Sequence, residues 1–234
     1  MKKIVLIGDS IRMGYDKYVK ESMENIAEVY FPTANCCFAQ FILRYLHMWI
    51  ADELGLEHVD AVHWNAGLWD TLRIYGDTEC LAPLDAYVSS ITKIDERIKY
   101  MFPNAVSIFA TSTPVLEDGG YIKEFEMRYN ADIERYNAAA CEALSKRGVI
   151  INDLHALLKD CPESYHSDQT HFYTADATAL IGNQVTKVLC EALDLDASGL
   201  ILPDKEKYHR HGPPCTDADL YVKKGNFYVL KRDK

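Results

Sequence analysis

Short runs of β-branched and aliphatic residues alternate along this chain with longer segments whose apolar residues recur at helical spacing. Continuous short apolar runs are typical of strands that are buried on both faces, so we interpret them as β-strands. The predicted strands are Lys3–Ile7, Ala27–Tyr30, Val59–Trp64, Ala105–Ala110 and Val149–Ile151. The predicted helices are Tyr15–Asn25, Phe38–Leu54, Leu84–Met101, Lys123–Lys146 and Thr174–Leu193.

Strands that alternate with helices in this way predict an α/β fold, in which a parallel sheet is covered by helices on both faces. The end of the chain differs, because two short apolar runs, 220–222 and 227–230, flank a turn that contains Gly225. This pattern predicts a β-hairpin. We therefore divide the chain into a domain at 1–195 and a C-terminal extension at 196–234. Since an isolated hairpin is marginally stable in water, it should clasp its own domain, contact a second copy, or form a flap near the site.

Charge and hydropathy narrow the classes of partner. The 234 residues carry 25 Lys and Arg against 35 Asp and Glu, a net charge of −10, which disfavours binding to nucleic acid or anionic lipid. No apolar run approaches the roughly 18 to 20 residues that a membrane-spanning helix needs. The N-terminal apolar run, 4–7, is too short for the core of a signal peptide. We expect a cytoplasmic protein with a small-molecule partner, no membrane or nucleic-acid partner, and a homo-oligomer as an open alternative.

The cysteines and glycines give no sign of a metal or a cofactor. The seven cysteines form no Cys-x-x-Cys pair, and most are expected to be small core residues. His209, His211 and Cys215 supply three potential metal ligands without a clear fourth, so a metal site is a minority interpretation. Phosphate-binding motifs of the GxxxxGK[ST] or GxGxxG type do not occur. We expect no cofactor and no metal.

The tripeptide Gly8-Asp9-Ser10 follows the first predicted strand. In open α/β sheets, ligands bind at the carboxyl ends of strands, so a serine here is well placed to act as a nucleophile. A serine needs a neighbouring base to take its proton. The alternative is that Asp9 or Ser10 only caps the helix that follows.

A candidate base lies late in the chain, where Ser167-Asp168-Gln169-Thr170-His171 precedes the last predicted helix. A carboxylate three residues before a histidine can accept the Nδ1–H of the ring and leave Nε2 facing a serine. An incidental surface histidine with a capping aspartate is the alternative. The early serine together with the late Asp-x-x-His predicts Ser10, His171 and Asp168 as a catalytic triad.

Groups that stabilise an oxyanion should follow the neighbouring strands. The candidates are the N–H of Ser10, the N–H of Cys36 or Cys37 after the second strand, and the amide of Asn65 after the third. A turn-closing role for Asn65 is an equal alternative. The residues that flank these groups are the candidates for binding substrate: Asp9, Asn35, Trp69 and Thr170.

The chain resembles the SGNH hydrolases, or GDSL esterase/lipase superfamily, in motifs that occur in order between about residues 3 and 193. Gly8-Asp9-Ser10 is similar to the first block, Gly67-x-x-Asp70 to the third and Asp168-x-x-His171 to the last. The resemblance implies a flavodoxin-like three-layer α/β/α sandwich with a five-stranded parallel sheet in the order 2-1-3-4-5. It also implies that Ser10 is the nucleophile, His171 the base and Asp168 the residue that orients it.

Two departures from the family pattern affect the oxyanion hole. Trp69 occupies the place of the usual asparagine in the third block, and Asn65 is a candidate substitute because alternate strand residues share a face. The glycine of the second block is missing, with Cys36 or Cys37 nearest in position. Any residue other than proline can supply a backbone N–H, so this second loss matters only if the glycine conformation is required.

Together these features predict a serine esterase that forms an acyl-enzyme and hydrolyses a short-chain ester. The resemblance favours an acetyl group on a sugar or a small alcohol. A thioesterase or lysophospholipase of the same fold is one alternative. A catalytically weak flavodoxin-like binding module is another, motivated by Trp69 in place of asparagine.

Overall fold

The computed structural model describes residues 1–208 and 217–231. Its main sheet has five parallel strands that adjoin in the order β2-β1-β3-β4-β5. This confirms the predicted 2-1-3-4-5 order. The strands are β1 (Lys2–Ile7), β2 (Ala27–Tyr30), β3 (Ala61–Asn65), β4 (Val106–Ala110) and β5 (Ile150–Asn152).

Helices cover both faces of the sheet, because successive residues of each strand point to opposite sides. Ile4 and Leu6 of β1 are fully buried in one apolar cluster, and Val5 and Ile7 are fully buried in the other. The first cluster includes side chains of α1, α5 and α6, and the second includes those of α2, α3 and α4. The helices of these layers are α1 (Ser10–Ser22), α2 (Ala39–His47), α3 (Leu84–Met101), α4 (Asn130–Ser145), α5 (Leu154–Leu158) and α6 (Ala175–Leu193).

Two helices, α1 and α4, begin five or more residues away from their predicted starts. Helix α1 starts at Ser10 rather than Tyr15, because the Asp9 side chain caps it by accepting the Ile11 N–H at 2.9 Å. Helix α4 starts at Asn130 rather than Lys123. Within the intervening segment, Glu126–Met127 instead forms an antiparallel two-residue pair with Arg73–Ile74.

The predicted hairpin is present near the end of the chain. A short helix, α7 (Asp217–Leu220), leads into the antiparallel strands β6 (Tyr221–Lys224) and β7 (Phe227–Leu230). The rings of Tyr221 and Tyr228 lie 4.7 and 5.3 Å from that of Phe125. The hairpin therefore contacts the loop that precedes α4, while the division of the chain at residue 195 stays a prediction.

The described residues bear on two classes of protein that the sequence raised, membrane proteins and metalloproteins. Within residues 1–208 and 217–231, no helix combines the length and the apolar character needed to cross a bilayer. The same residues contain no cluster of three histidine, cysteine or acidic side chains suited to a metal ion. The minority metal candidates His209, His211 and Cys215 lie outside the described residues.

His63 of β3 is a fully buried histidine that faces the α1 and α6 side of the sheet, where Tyr15 contacts it edge-on. Its Nε2 lies 3.0 Å from Asn152 Nδ2, and Nδ1 has no hydrogen-bond partner among the described residues. Burial lowers the pKa of His63 to about 3, from the usual value of 6.5. The imidazole is therefore neutral in the folded protein at any pH near neutrality.

This burial predicts a loss of stability in acid. The unfolded chain takes a proton at His63 below about pH 6.5 and the folded chain does not, so stability falls as pH drops from about 6.5 towards 3, by at most about 1.4 kcal/mol per pH unit. Urea unfolding of wild type and His63→Gln at several pH values should show the wild type losing more free energy of unfolding in this window. The exposed His47→Gln is the control, and parallel curves for wild type and His63→Gln would refute the assignment.

Candidate active site

The end of β1 brings Ser10 to the carboxyl edge of the sheet. Gly8 makes this possible, because a Cβ there would lie 1.9 Å from Asn65 Oδ1 and 2.9 Å from Arg12 Cβ. Asp9 caps α1, as the alternative interpretation of this motif held, and Ser10 is the first residue of the helix. Ser10 is half-buried, so its hydroxyl remains within reach of a small molecule.

The structure brings the three predicted triad residues together. His171 Nε2 lies 2.7 Å from Ser10 Oγ, and His171 Nδ1 lies 2.8 and 2.9 Å from the two Asp168 oxygens. The loop is folded around the carboxylate, whose Oδ1 accepts the N–H groups of Thr170 and His171, each at 2.7 Å. The Ser167 N–H closes the loop on the His171 carbonyl at 2.8 Å. This is the arrangement in which an imidazole can take a proton from a serine.

Hydrogen bonding decides the charge of Asp168. Burial alone would raise its pKa, but the ring of His171 and the two backbone N–H groups outweigh that effect, and the pKa of Asp168 is lowered. Asp168 is therefore ionised at neutral pH. An ionised carboxylate at Nδ1 holds the N–H on that nitrogen and stabilises the imidazolium that forms when Nε2 takes a proton.

Tyr173 is a residue of the site that the sequence reasoning missed. Its ring stacks on that of His171, with centroids 4.8 Å apart and planes 20° apart, and its hydroxyl donates to the Ser10 carbonyl at 2.7 Å. Gly14 lies beneath this ring, since a Cβ there would be 2.7 Å from Tyr173 Cε1. Gly14, four residues after the serine, was the available signal, but a single glycine in a helix does not indicate which ring covers it.

The loop after β2 carries the two cysteines considered as oxyanion donors. The Cys36 N–H donates to the Gly8 carbonyl at 3.1 Å, and the Cys37 N–H donates to Asn35 Oδ1 at 3.0 Å. Both amides are thus engaged within the protein, and the assignment of either to an oxyanion stays a prediction. Burial raises the pKa of both thiols, that of Cys36 to about 11, which disfavours thiolate chemistry.

Asn65 ends β3 and points towards the first strand rather than closing a turn. Its Nδ2 donates to Asp9 Oδ1 at 2.9 Å, and both side chains are buried. Burial raises the pKa of Asp9, against the lowering effects of this hydrogen bond and of the Ile11 N–H. Asn65 thus contacts the residue before Ser10, and its role at an oxyanion also stays a prediction.

The proposed substrate-binding residues divide by exposure. Asp9 is fully buried, and Thr170 is buried with its Oγ1 2.7 Å from the Tyr121 hydroxyl, so these two side chains support their neighbours rather than face a substrate. Asn35 and Trp69 are half-buried and remain candidates.

Asp70, next to Trp69, is nearly inaccessible. Both of its carboxylate oxygens lie 3.2 Å from the Ala39 N–H, the first amide of α2. Burial raises the pKa of Asp70 to about 7. Asp70 therefore connects the segment after β3 to the start of α2, directly after the loop that carries the cysteines.

Cys37 has a left-handed backbone, with φ of 48°. Such a conformation costs a residue with a Cβ about 1 kcal/mol or more, and glycine adopts it freely. Cys37→Gly should therefore unfold at a urea concentration equal to or above that of wild type. Cys37→Val should be destabilised by about 1 kcal/mol or more, since β-branched residues fit this region poorly. The neighbouring, fully buried Cys36 is the control, because Cys36→Gly removes a packed side chain and should destabilise. A Cys37→Gly protein less stable than Cys37→Val would contradict the prediction.

Solved structures share this architecture. A GDSL-like lipase from Bacteroides thetaiotaomicron matches with a TM-score of 0.63 at 14% identity, over 82% of this chain and 89% of that chain. An acetyl xylan esterase matches with a TM-score of 0.61 at 14% identity, over 80% and 99% of the two chains. The lipase/acylhydrolase from Enterococcus faecalis matches with a TM-score of 0.60 at 18% identity, over 87% and 100%.

No protein-family model matches the sequence, and no curated protein matches it. The likeness therefore lies in three-dimensional structure, and it extends over most of each of these chains. It agrees with the resemblance carried by the sequence motifs. This chain has the three-layer fold of the GDSL-like lipases and acylhydrolases.

Proposed function

We propose that the protein is a serine esterase that hydrolyses a short-chain ester through an acyl-enzyme. The observation that carries the proposal is the 2.7 Å contact between Ser10 Oγ and His171 Nε2, with Asp168 bonded to the opposite ring nitrogen. A serine and a base within hydrogen-bond reach, the base oriented by a third group, form the arrangement of an activated nucleophile.

In the first half of the reaction, Ser10 Oγ attacks the carbonyl carbon of the ester while His171 Nε2 takes the hydroxyl proton. The carbonyl oxygen becomes the oxyanion of a tetrahedral intermediate. The intermediate collapses when the C–O bond to the alcohol breaks and His171 returns its proton to the departing oxygen. An acyl group is left on Ser10.

In the second half, His171 takes a proton from water, and the resulting hydroxide attacks the acyl carbon. Collapse of this second intermediate releases the acid, and the proton returns to Ser10 Oγ. Asp168 stays ionised throughout and stabilises the imidazolium in both halves. The lowered pKa of Asp168 supports this role.

The start of α1 supplies the best-supported oxyanion donor. The first N–H groups of a helix have no partner within the helix and carry the positive end of its dipole. Ser10 is the first residue of α1, and we propose its own N–H as a donor to the oxyanion of a substrate bound to its Oγ. We propose the loop amide at Cys37, whose partner among the described residues is the side chain of Asn35, as the second donor.

The structural neighbours bear on the choice of substrate. One is an acetyl xylan esterase, which supports an acetyl ester on a carbohydrate, and others are lipases or acylhydrolases, which keep a thioesterase or lysophospholipase as the alternative. A catalytically weak binding module is less well supported, because such a module has no need for an ionised, hydrogen-bonded Asp168 behind His171.

Ser10→Ala should reduce hydrolysis of p-nitrophenyl acetate by about 10³-fold or more, because it removes the nucleophile. The exposed Ser164→Ala is the matched control and should retain wild-type activity. A series of acetate, butyrate and octanoate esters should show the highest kcat/KM for acetate. Faster turnover of octanoate would favour the lipase-type alternative, and equal rates for wild type and Ser10→Ala on every ester would favour the binding module.

Asp168→Asn should leave the fold intact and lower kcat by about 10³- to 10⁴-fold. The amide can occupy the same space but cannot stabilise the imidazolium, and it can bond the ring in the wrong tautomer. The exposed Asp160→Asn, on the same loop, is the control. Steady-state kinetics on p-nitrophenyl acetate provide the measurement, and a kcat within tenfold of wild type would exclude Asp168 from the triad.

A further inference from the structure

Arg12 is a buried arginine in the stretch after the nucleophile, and the esterase mechanism does not use it. Its side chain is 1% exposed. One terminal nitrogen donates to Asp16 Oδ2 at 2.5 Å and to the Pro32 carbonyl at 3.1 Å. The other donates to the Ala34 carbonyl at 2.5 Å and to the Gly8 carbonyl at 3.4 Å.

The ion pair alone does not explain why an arginine is placed here. Burying a guanidinium is costly unless its charge is paired and its N–H groups are bonded. Asp16, one helical turn along α1, supplies the opposite charge. The other three contacts go to backbone carbonyls on two different segments, a pattern that the planar fork of arginine suits and the single ammonium of lysine does not.

These carbonyls connect the nucleophile to the loop after β2. Gly8 lies two residues before Ser10, and its carbonyl accepts from both Arg12 and the Cys36 N–H. Pro32 and Ala34 lie in the loop that leads to the two cysteines. At the far end of the same loop, Asp70 holds the first amide of α2.

Arg12 and Asp70, which lie outside the loop, therefore hold it at its two ends. The Asn35 side chain accepts the N–H of the neighbouring Cys37, which shapes the loop without attaching it to β1. Arg12 is the side chain of α1 that spans from the end of β1 to the loop. The distance between the Cys37 amide and Ser10 thus depends on the hydrogen bond from Cys36 to Gly8 and on where Arg12 holds the loop.

We propose that Arg12 is a positioning residue for the oxyanion hole, which sets the separation between Ser10 and the loop amide at Cys37. The inference rests on the proposed esterase function and deepens it. Arg12 does not touch substrate. It acts through the loop, and its effect should appear at the stage where negative charge develops on the carbonyl oxygen.

A displacement of the loop by about 1 Å should cost roughly 10²-fold in rate, comparable to the loss of one oxyanion donor. Because the contact to the oxyanion is stronger in the transition state than in the bound ester, the loss should fall on kcat and leave KM within about threefold of wild type. We expect about 10²-fold lower kcat for Arg12→Met and about tenfold lower kcat for Arg12→Lys, which keeps the charge but not the fork.

The experiment compares wild type, Arg12→Met, Arg12→Lys and two controls on p-nitrophenyl acetate. Each rate is expressed per Ser10 that reacts with a fluorophosphonate probe incubated to completion, so that unfolded protein is not counted. Arg44→Met removes an exposed arginine and should behave as wild type. Asp16→Asn removes the ion pair but leaves the three carbonyl contacts of Arg12, so it should lower stability and keep kcat within about threefold.

A second readout separates positioning from a structural role. An alkylboronic acid that adds to Ser10 mimics the tetrahedral intermediate, so its inhibition constant should rise in Arg12→Met by about the factor that kcat/KM falls. A purely structural residue would lower the unfolding midpoint without changing kcat per active site or this constant. Should Arg12→Met fail to fold, Arg12→Lys carries the test.

The outcomes distinguish this inference from the proposed function. An active wild type whose Arg12 variants keep its kcat per active site and its boronic acid affinity would overturn the positioning role alone. A wild type inactive on every ester would overturn the esterase proposal, and the positioning role with it. A coupled loss of kcat and boronic acid affinity in both Arg12 variants, with Asp16→Asn near wild type, would establish the inference.

Discussion

The close approach of three segments at Gly8 is the constraint on which the rest of the site depends. There is no room for a side chain at this position, because Asn65 of β3 and Arg12 of α1 occupy the space that a Cβ would need. The Gly8 carbonyl accepts from Arg12 and from the Cys36 amide. One peptide unit thus fixes β1, the neighbouring strand β3 and the loop after β2 relative to one another. A larger residue at this position would separate all three.

The acidic groups around this junction differ in the direction in which their pKa values are shifted, and the difference follows from their surroundings. Asp9 and Asp70 are buried and have raised pKa values, that of Asp70 being about 7. Asp168 is less buried, accepts several hydrogen bonds and has a lowered pKa. Environments that separate the pKa values of nearby carboxyl groups assign them different tasks. Asp168 faces His171, while Asp9 and Asp70 hold backbone amides at the starts of α1 and α2.

The sequence predicted most of the fold and the close approach of Ser10, His171 and Asp168 because those features have local signatures. The five apolar runs correspond to the five strands of the sheet. The Asp-x-x-His spacing places the Asp168 carboxylate beside the His171 ring within one turn. The prediction of a helix at 123–146 was wrong for 123–129, because contacts with distant parts of the chain determine the structure there. Phe125, which suited the helical pattern, instead contacts Tyr75 and the hairpin, which lie far away in sequence.

The contacts of Tyr173 and Arg12 could not be predicted from the sequence, because they have no local signature. The ring of Tyr173 covers His171 only because α1 and the loop before α6 meet at Gly14. Arg12 lies on a helix at a position where an arginine is ordinarily solvated. Its burial depends on the loop after β2, which closes over it with two carbonyls. Contacts between segments so distant in sequence leave no periodic pattern for a sequence analysis to detect.

The same contacts explain how the loop after β2 tolerates a residue other than glycine at its turn. A glycine reaches the left-handed conformation freely, whereas Cys37 adopts it at a cost of about 1 kcal/mol or more. A residue held in such a conformation persists only where surrounding structure over-determines it. Here Arg12 holds the loop at Pro32 and Ala34, Gly8 holds it at Cys36, and Asp70 holds the helix that follows. These contacts determine the shape of the loop from both ends. The turn can therefore carry Cys37, although glycine adopts the left-handed conformation more readily.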